Sequence, residues 1–337
     1  MTSANWMAYL SSGKWPVVGA FGAMAAFALI ALLGSHYIRF LQKRYMGQYI
    51  REDGPASHQS KAGTPTLGGV LIFVGAAIGL GVAILLNPAM MLTHPVWISV
   101  LAALLFGILG FSDDYLKIAK KKNKGLSGYS KLAVQVGFGL AVGLYLMFYQ
   151  ERSSLNVFYQ TPFELGLLYP IFVALVITAT SNAVNITDGL DGLAAWTTII
   201  ALLAVSIVLS TTGYPELAVL SLVLLGGCAG FLLFNRYPAR IFMGDTGSLA
   251  LGGLLGTMMA LGDAELWLPL VGIVYVVECL SVILQVISFK STGKRIFKMA
   301  PIHHHFELLG MHETQVVMSF CGLQFLGCLL GLYLNQQ

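Results

Sequence analysis

Val96-Trp97-Ile98-Ser99-Val100-Leu101-Ala102-Ala103-Leu104-Leu105-Phe106-Gly107-Ile108-Leu109-Gly110-Phe111 is followed directly by Ser112-Asp113-Asp114-Tyr115. The apolar run reads as a membrane helix, and two adjacent carboxylates close it. A carboxylate at mid-bilayer costs about 2.5 to 3.5 kcal/mol, so acids at the rim of a span are candidates for function. Two readings stand side by side: the pair marks where the helix meets water, or it carries chemistry. The lysines that follow (Lys117, Lys120, Lys121, Lys122, Lys124) favour chemistry, because a positive loop alone does not explain why two acids precede it.

Working outward, the chain is 57% hydrophobic and only 10% charged, against roughly 25% charged in soluble domains. A soluble globular protein is excluded; the fold class is all-α, a polytopic integral membrane protein forming one domain over residues 1–337. Cys228, Cys279, Cys321 and Cys328 all fall inside apolar runs and form no CxxC, which argues against a disulfide framework or a zinc site. The first apolar run is long and lacks a small-residue cleavage pattern, so it is expected to remain as an anchor.

Ten runs are long enough to cross the hydrocarbon: 17–39, 67–86, 96–112, 131–149, 166–184, 192–211, 215–234, 247–262, 266–288 and 314–334. Numbering the connecting loops in order, the odd ones and the helix ends facing them hold 17 of the 19 Lys and Arg residues; Lys14 and Arg152 are the exceptions. The odd loops are therefore expected in the cytoplasm and both termini outside. Nine of the fifteen acids, including Asp113, Asp114, Asp188, Asp191 and Asp245, fall on the same face, while Glu278 is expected within the ninth span.

The cytoplasmic loops carry distinct chemistry. Lys61-Ala62-Gly63-Thr64-Pro65-Thr66 places a lysine and two hydroxyls before the second helix, either as an anion site or as an ordinary turn. Continued as helix, Lys117 and Lys121 become i, i+4 neighbours, and Asp114 lies three residues before Lys117. Acids can hold a divalent cation and lysines phosphate oxygens, the combination a phosphoryl-transfer site requires. Asn185, Asp188 and Asp191 recur at three-residue spacing, as on one face of a helical turn, and their loop has no Lys or Arg to balance them. Gly244 and Gly247 bracket Asp245, with Gly247-Ser248 opening the eighth helix, and Phe242 either stacks on a flat ring or is buried. In the ninth loop Thr292-Gly293-Lys294 is no P-loop, since Ser288 stands where the first glycine belongs. His303, His304 and His305 cannot all point at one ion; one or two are expected to hydrogen-bond a phosphate or sugar.

This gathering of polar groups on one face argues for chemistry between a cytosolic anion and a partner in the lipid bilayer. A transporter would place polar groups at mid-bilayer in repeated halves; Glu278 and a possible break near Pro269 are the features in its favour.

Five segments, Gly63-Thr64-Pro65-Thr66-Leu67-Gly68-Gly69, Asp113-Asp114-Tyr115, Asn182 through Gly192, Phe242-Met243-Gly244-Asp245 and Ala300-Pro301-Ile302-His303-His304-His305-Phe306-Glu307, resemble those of the bacterial phospho-N-acetylmuramoyl-pentapeptide transferases. The resemblance spans nearly the whole chain. The Asp pair and the Asn-x-x-Asp-Gly-x-Asp run are shared with the wider polyprenyl-phosphate N-acetylhexosamine-1-phosphate transferases, and the histidine segment points to the narrower family. Leu67 departs from the family's usual methionine.

The resemblance implies transfer of phospho-MurNAc-pentapeptide from UDP-MurNAc-pentapeptide to undecaprenyl phosphate with Mg2+, giving lipid I and UMP in the bacterial inner membrane. It also implies a homodimer, a bent ninth helix, a groove for the lipid tail and no nucleic-acid partner. Asp113, Asp114, Asp245 and His304 correspond to the catalytic set, with the three acids as magnesium ligands. Phe242, Gly189, Leu190 and Asp191 correspond to the uridine pocket, with Lys61, Thr66, Asn185, Asp188, Asn235 and Gln285 around the remaining nucleoside and sugar. Lys117, Lys121 and Lys131 would approach phosphates beside Gly244 and Ser248, and His303 and His305 would flank the sugar phosphate. A sister enzyme using UDP-GlcNAc is the alternative, and the histidine segment alone separates the two.

Overall fold

A computed structural model describes residues 14–44, 63–120, 125–156 and 162–336. Lys61 and Lys121 lie outside the described residues. Long helices build the molecule: α1 (Lys14–Arg44), α2 (Gly69–Leu86), α3 (His94–Lys120), α4 (Gly128–Tyr149), α5 (Tyr169–Thr187), α6 (Leu193–Thr211), α7 (Pro215–Asn235), α8 (Gly244–Leu261), α9 (Ile273–Thr292) and α10 (Glu313–Leu334). Short helices at Pro88–Met91, Leu268–Val271 and Ile302–Leu308 and an antiparallel pair, Ser154–Leu155 with Phe163–Glu164, complete it.

Among the described residues nine helices are long and apolar enough to cross a membrane, which makes this an all-α polytopic membrane protein. α8 falls outside that set because glycines and Asp245 dilute its hydropathy. Its side chains face protein: every residue from Thr246 to Leu261 is buried, chiefly against α3 and α5. A helix surrounded by other helices needs close approach more than lipid solubility, and its small residues supply that. Gly252 lies on the backbone of Thr180 and Ser181, and Gly253 on the Phe106 ring.

The helices extend beyond the apolar runs at the polar end of the bundle. α3 was expected to stop at 112 and continues to Lys120, so Asp113 and Asp114 lie inside a helix. The backbone ladder does not depend on apolar side chains, and polar groups sheltered by neighbouring helices extend it. α5 ends at Thr187; Asp188 leaves helical geometry at φ −79°, ψ 55°, and Gly192 is left-handed at φ 80°. The three-residue spacing of Asn185, Asp188 and Asp191 therefore does not form one helical face.

The ninth span is broken, at Gly272 (φ −125°, ψ 32°). Pro269 sits in the first turn of Leu268–Val271, where its missing N–H costs nothing. Gln324 of α10 meets the backbone groups that the break releases: its amide donates to Val271 O, and its Oε1 accepts the Val274 N–H at 3.2 Å. At the end of α8 away from Asp245, Arg152 donates to Ala260 O at 3.0 Å and Leu261 O at 2.9 Å and also bonds Tyr214 Oη. A cation on terminal carbonyls caps the helix and complements its dipole.

Candidate active site

The site forms where the N-terminus of α8 meets the polar end of α3. Gly110 makes that meeting possible, since a methyl group there would overlap the carbonyl of Asp245. Gly244 turns the chain into α8 at φ +75°, and a side chain at this position would strike Thr66 Oγ1 and Asp114 Oδ2. Thr66 is brought there by paired loops: Phe242 N–H donates to Pro65 O at 2.9 Å, Gly68 N–H to Phe242 O at 2.9 Å, and Gly69 N–H to Met243 O at 3.0 Å.

The two adjacent aspartates do different work. Asp114 is buried and holds the start of α8: its Oδ1 accepts the Asp245 N–H at 3.2 Å, and its Oδ2 accepts the Thr246 N–H at 2.9 Å and the Thr246 hydroxyl at 2.7 Å. It thereby satisfies helix N-terminal donors from another helix. Asp113, also buried, faces lysines. Its Oδ2 lies 2.6 Å from Lys117 Nζ, its Oδ1 lies 3.3 Å from Lys131 Nζ, and the Leu126 N–H donates to Oδ1 at 2.7 Å. The helical pairing is thus Asp113 with Lys117, at i, i+4.

Asp245 completes the group. Its Oδ2 is 3.1 Å from Lys131 Nζ and 3.4 Å from Lys117 Nζ, and Asn185 donates to Oδ1 at 3.1 Å. Asn185 also bonds Ser248 Oγ at 2.8 Å, and Ser248 donates to Gly244 O at 2.8 Å, so these two side chains brace the first turn of α8. Asp188 is half-buried beside this group; burial, then the charges of Asp245 and Asp114, push its carboxyl up to about 7.

One oxygen from each of Asp113, Asp114 and Asp245 lies within 4.8 Å of the others. Three carboxylate oxygens form a hard donor set that suits a divalent cation such as Mg2+. Thr66 Oγ1, buried against this group, has no hydrogen-bond partner among the described residues. The residues present therefore fit a cation and a polar ligand together.

Other residues with expected roles are engaged elsewhere. Asp191 is buried, its carboxylate accepting the Ala239 N–H at 2.9 Å and its own N–H donating to Glu313 at 2.6 Å. Asn235 is buried and donates to Ile241 O at 2.9 Å, tying off the loop after α7. Leu190 packs into an apolar cluster with Leu193, Val274, Val316, Val317 and Phe320. Gln285 gives its whole amide to one loop, donating to Phe297 O at 2.9 Å and accepting the Ile296 and Phe297 N–H groups at 3.0 Å. Phe242 is half-buried.

The three histidines diverge. His303 turns into the core with Nδ1 3.0 Å from Glu278 Oε2, His304 Nδ1 pairs with Glu307 at 2.8 Å, and His305 Nδ1 accepts the Lys298 N–H at 3.1 Å. His303 is fully buried, and its neighbour His304 is half-buried. Thr246, Leu126 and Glu313 also contribute, and no motif in the sequence singles them out. Thr246, a hydroxyl next to the acid at a helix start, left a signal; Leu126 acts through its backbone and left none.

A family model described as glycosyl transferase family 4 matches residues 96–263, the segment that holds Asp113, Asp114, Asp188 and Asp245. A phospho-N-acetylmuramoyl-pentapeptide-transferase of Moorella thermoacetica is 46% identical over 308 residues, covering 90% of this chain and 94% of that protein. A protein of the same description from Clostridium kluyveri is 43% identical over 316 residues, 92% of this chain and 97% of its own. Another from Bacillus pumilus is 42% identical over 316 residues, 94% of this chain and 97% of its own.

Proposed function

Because the chain belongs to the phospho-N-acetylmuramoyl-pentapeptide-transferase family, we propose that it moves phospho-MurNAc-pentapeptide from UDP-MurNAc-pentapeptide to undecaprenyl phosphate. The products are lipid I and UMP, and the setting is the bacterial inner membrane. The observation that carries this reading is the joining of Asp113, Asp114 and Asp245 with Lys117 and Lys131 at one helix N-terminus. When all are ionised, Asp113, Asp114, Asp188 and Asp245 outnumber the two lysines by two charges, the deficit that a divalent cation makes good. Asp113, Asp114 and Asp245 would hold Mg2+, which when bound neutralises charge developing on pyrophosphate oxygens.

The chain's own groups do the rest. A phosphate monoester has a second pKa near 6, so the lipid phosphate is mostly a dianion at neutral pH and needs no base to attack. Its oxygen forms a bond to the sugar-bearing phosphorus while the bond from that phosphorus to the bridging oxygen breaks, and UMP leaves with the electron pair. Lys117 and Lys131 sit between the acids and would draw two anions together. Asp113 is occupied by Lys117, Lys131 and the Leu126 N–H, which favours direct attack over a phospho-aspartate on this residue. Asp114 and Asn185 keep Asp245 in place, and Thr66 Oγ1 offers a hydrogen bond to the nucleotide side.

In this reading the site faces the cytoplasm with both termini outside and α8 counts as a tenth crossing; the excess of Lys and Arg in the odd loops and the burial of α8 support it. Supplying the purified protein with undecaprenyl phosphate and each of several UDP-sugars, and measuring UMP, tests the reading. UMP release with UDP-MurNAc-pentapeptide alone supports it, and preference for UDP-GlcNAc would assign the chain to the sister reaction.

A further inference from the structure

Glu278 is the only carboxylate in α9, and it is fully buried within an otherwise apolar segment. An ionisable group in such a place is retained for a partner. The nearest group of that kind is His303, also fully buried, whose Nδ1 lies 3.0 Å from Glu278 Oε2, an ion-pair approach without hydrogen-bond alignment; neither the carboxylate nor either ring nitrogen has a hydrogen-bond partner among the described residues. The opposite edge of the ring bears on the chain between α5 and α6. A methyl group at Gly189 would overlap His303 Nε2 and Cε1. Gly189 follows Asp188, and the turn it belongs to is tied on its other sides by Glu313 to the Asp191 N–H and by Asp191 to the Ala239 N–H.

We propose that Glu278 is a positioning residue: it orients the buried His303 ring as a wedge behind Gly189 and so sets the turn that presents Asp188 to the active site. A carboxylate 3.0 Å from one edge of a buried imidazole limits the orientations that ring can take. Glu278 never meets substrate, and its effect reaches the reaction through His303 and the turn. The kinetic consequence rests on the proposed sugar-nucleotide reaction; the structural one does not.

The experiment uses the full-length protein in nanodiscs, as wild type, Glu278→Ala, Glu278→Gln, His303→Ala and the Glu278→Ala/His303→Ala double variant. Hydrogen exchange is read over residues 187–192 and over α9. Faster exchange of the turn in Glu278→Ala, with α9 still protected, is expected; an unchanged turn overturns the proposal. KM is then measured for each substrate. Glu278→Ala raises KM for the sugar nucleotide about tenfold and leaves KM for undecaprenyl phosphate unchanged. Glu278→Gln, which keeps the shape of the side chain and an oxygen beside Nδ1, recovers most of that loss, and the double variant is no worse than His303→Ala. Equal shifts in both KM values, or additive losses in the double variant, overturn the proposal. A wild type that turns over no UDP-sugar refutes the proposed reaction instead, and the exchange measurement then still decides the role of Glu278.

Discussion

Replacing Asp114 separates its work from that of Asp113. Asp114 Oδ1 and Oδ2 each take one backbone N–H, from Asp245 and Thr246, and Oδ2 takes the Thr246 hydroxyl as well. Buried hydrogen bonds to a charged acceptor are worth about 1.5 kcal/mol each at the low end, so Asp114→Ala forfeits about 4.5 kcal/mol. If that loss is expressed in the placement of Asp245, turnover falls about 1,000-fold. Asn is no substitute, because its single oxygen serves one N–H while its NH2 confronts the other; Asp114→Asn is expected to lose about 100-fold or more. Thr246→Val keeps the backbone bond, loses only the hydroxyl and should cost about tenfold. UMP release at saturating substrates, alongside thermal unfolding of each variant, measures the series. Near-native turnover in Asp114→Asn would refute the reasoning, since the geometry leaves one backbone donor facing another.

Three further outcomes follow from other parts of the molecule. Gly110→Ala pushes a methyl group against the Asp245 carbonyl, so thermal unfolding should register a loss of about 1–3 kcal/mol and turnover should fall with it. Arg152→Met removes the cap from the far end of α8 and should lower stability by about 2 kcal/mol while KM for the sugar nucleotide stays fixed, as paired unfolding and kinetic measurements would show. Burial and neighbouring charge hold the Asp188 carboxyl up at about 7, so its contribution to stability is fully present below about pH 4 and is lost as pH rises through about 7. In chelator, Asp188→Asn should therefore gain on wild type in melting temperature between pH 5 and pH 8.

The fold was legible where composition alone sufficed. Apolar runs located the helices, and lysine and arginine asymmetry pointed to one face for the acids. The helix ends were not legible, because the backbone ladder of α3 continues past its apolar residues to Lys120. Residue spacing likewise missed the end of α5: Asn185 and Asp191 part company because the chain leaves the helix at Asp188. In the site, residue type identified Asp113, Asp114 and Asp245 but not their division of labour. That division depends on N–H donors from Leu126, Asp245 and Thr246, and backbone groups carry no signature in sequence. The histidine segment was visible as a motif, yet residue type alone does not show that His303 is buried against Glu278.

The central claim is that Asp113, Asp114 and Asp245, gathered at the start of α8, would hold a divalent cation beside the pyrophosphate. Mn2+ has an EPR signal and takes the same oxygen ligands as Mg2+, so titrating it into wild type and Asp245→Ala, with UDP-MurNAc-pentapeptide present, tests that claim without relying on turnover. One saturable, nucleotide-enhanced Mn2+ site in the wild type that is lost in Asp245→Ala is the predicted result; equal Mn2+ occupancy in the two proteins would contradict the account.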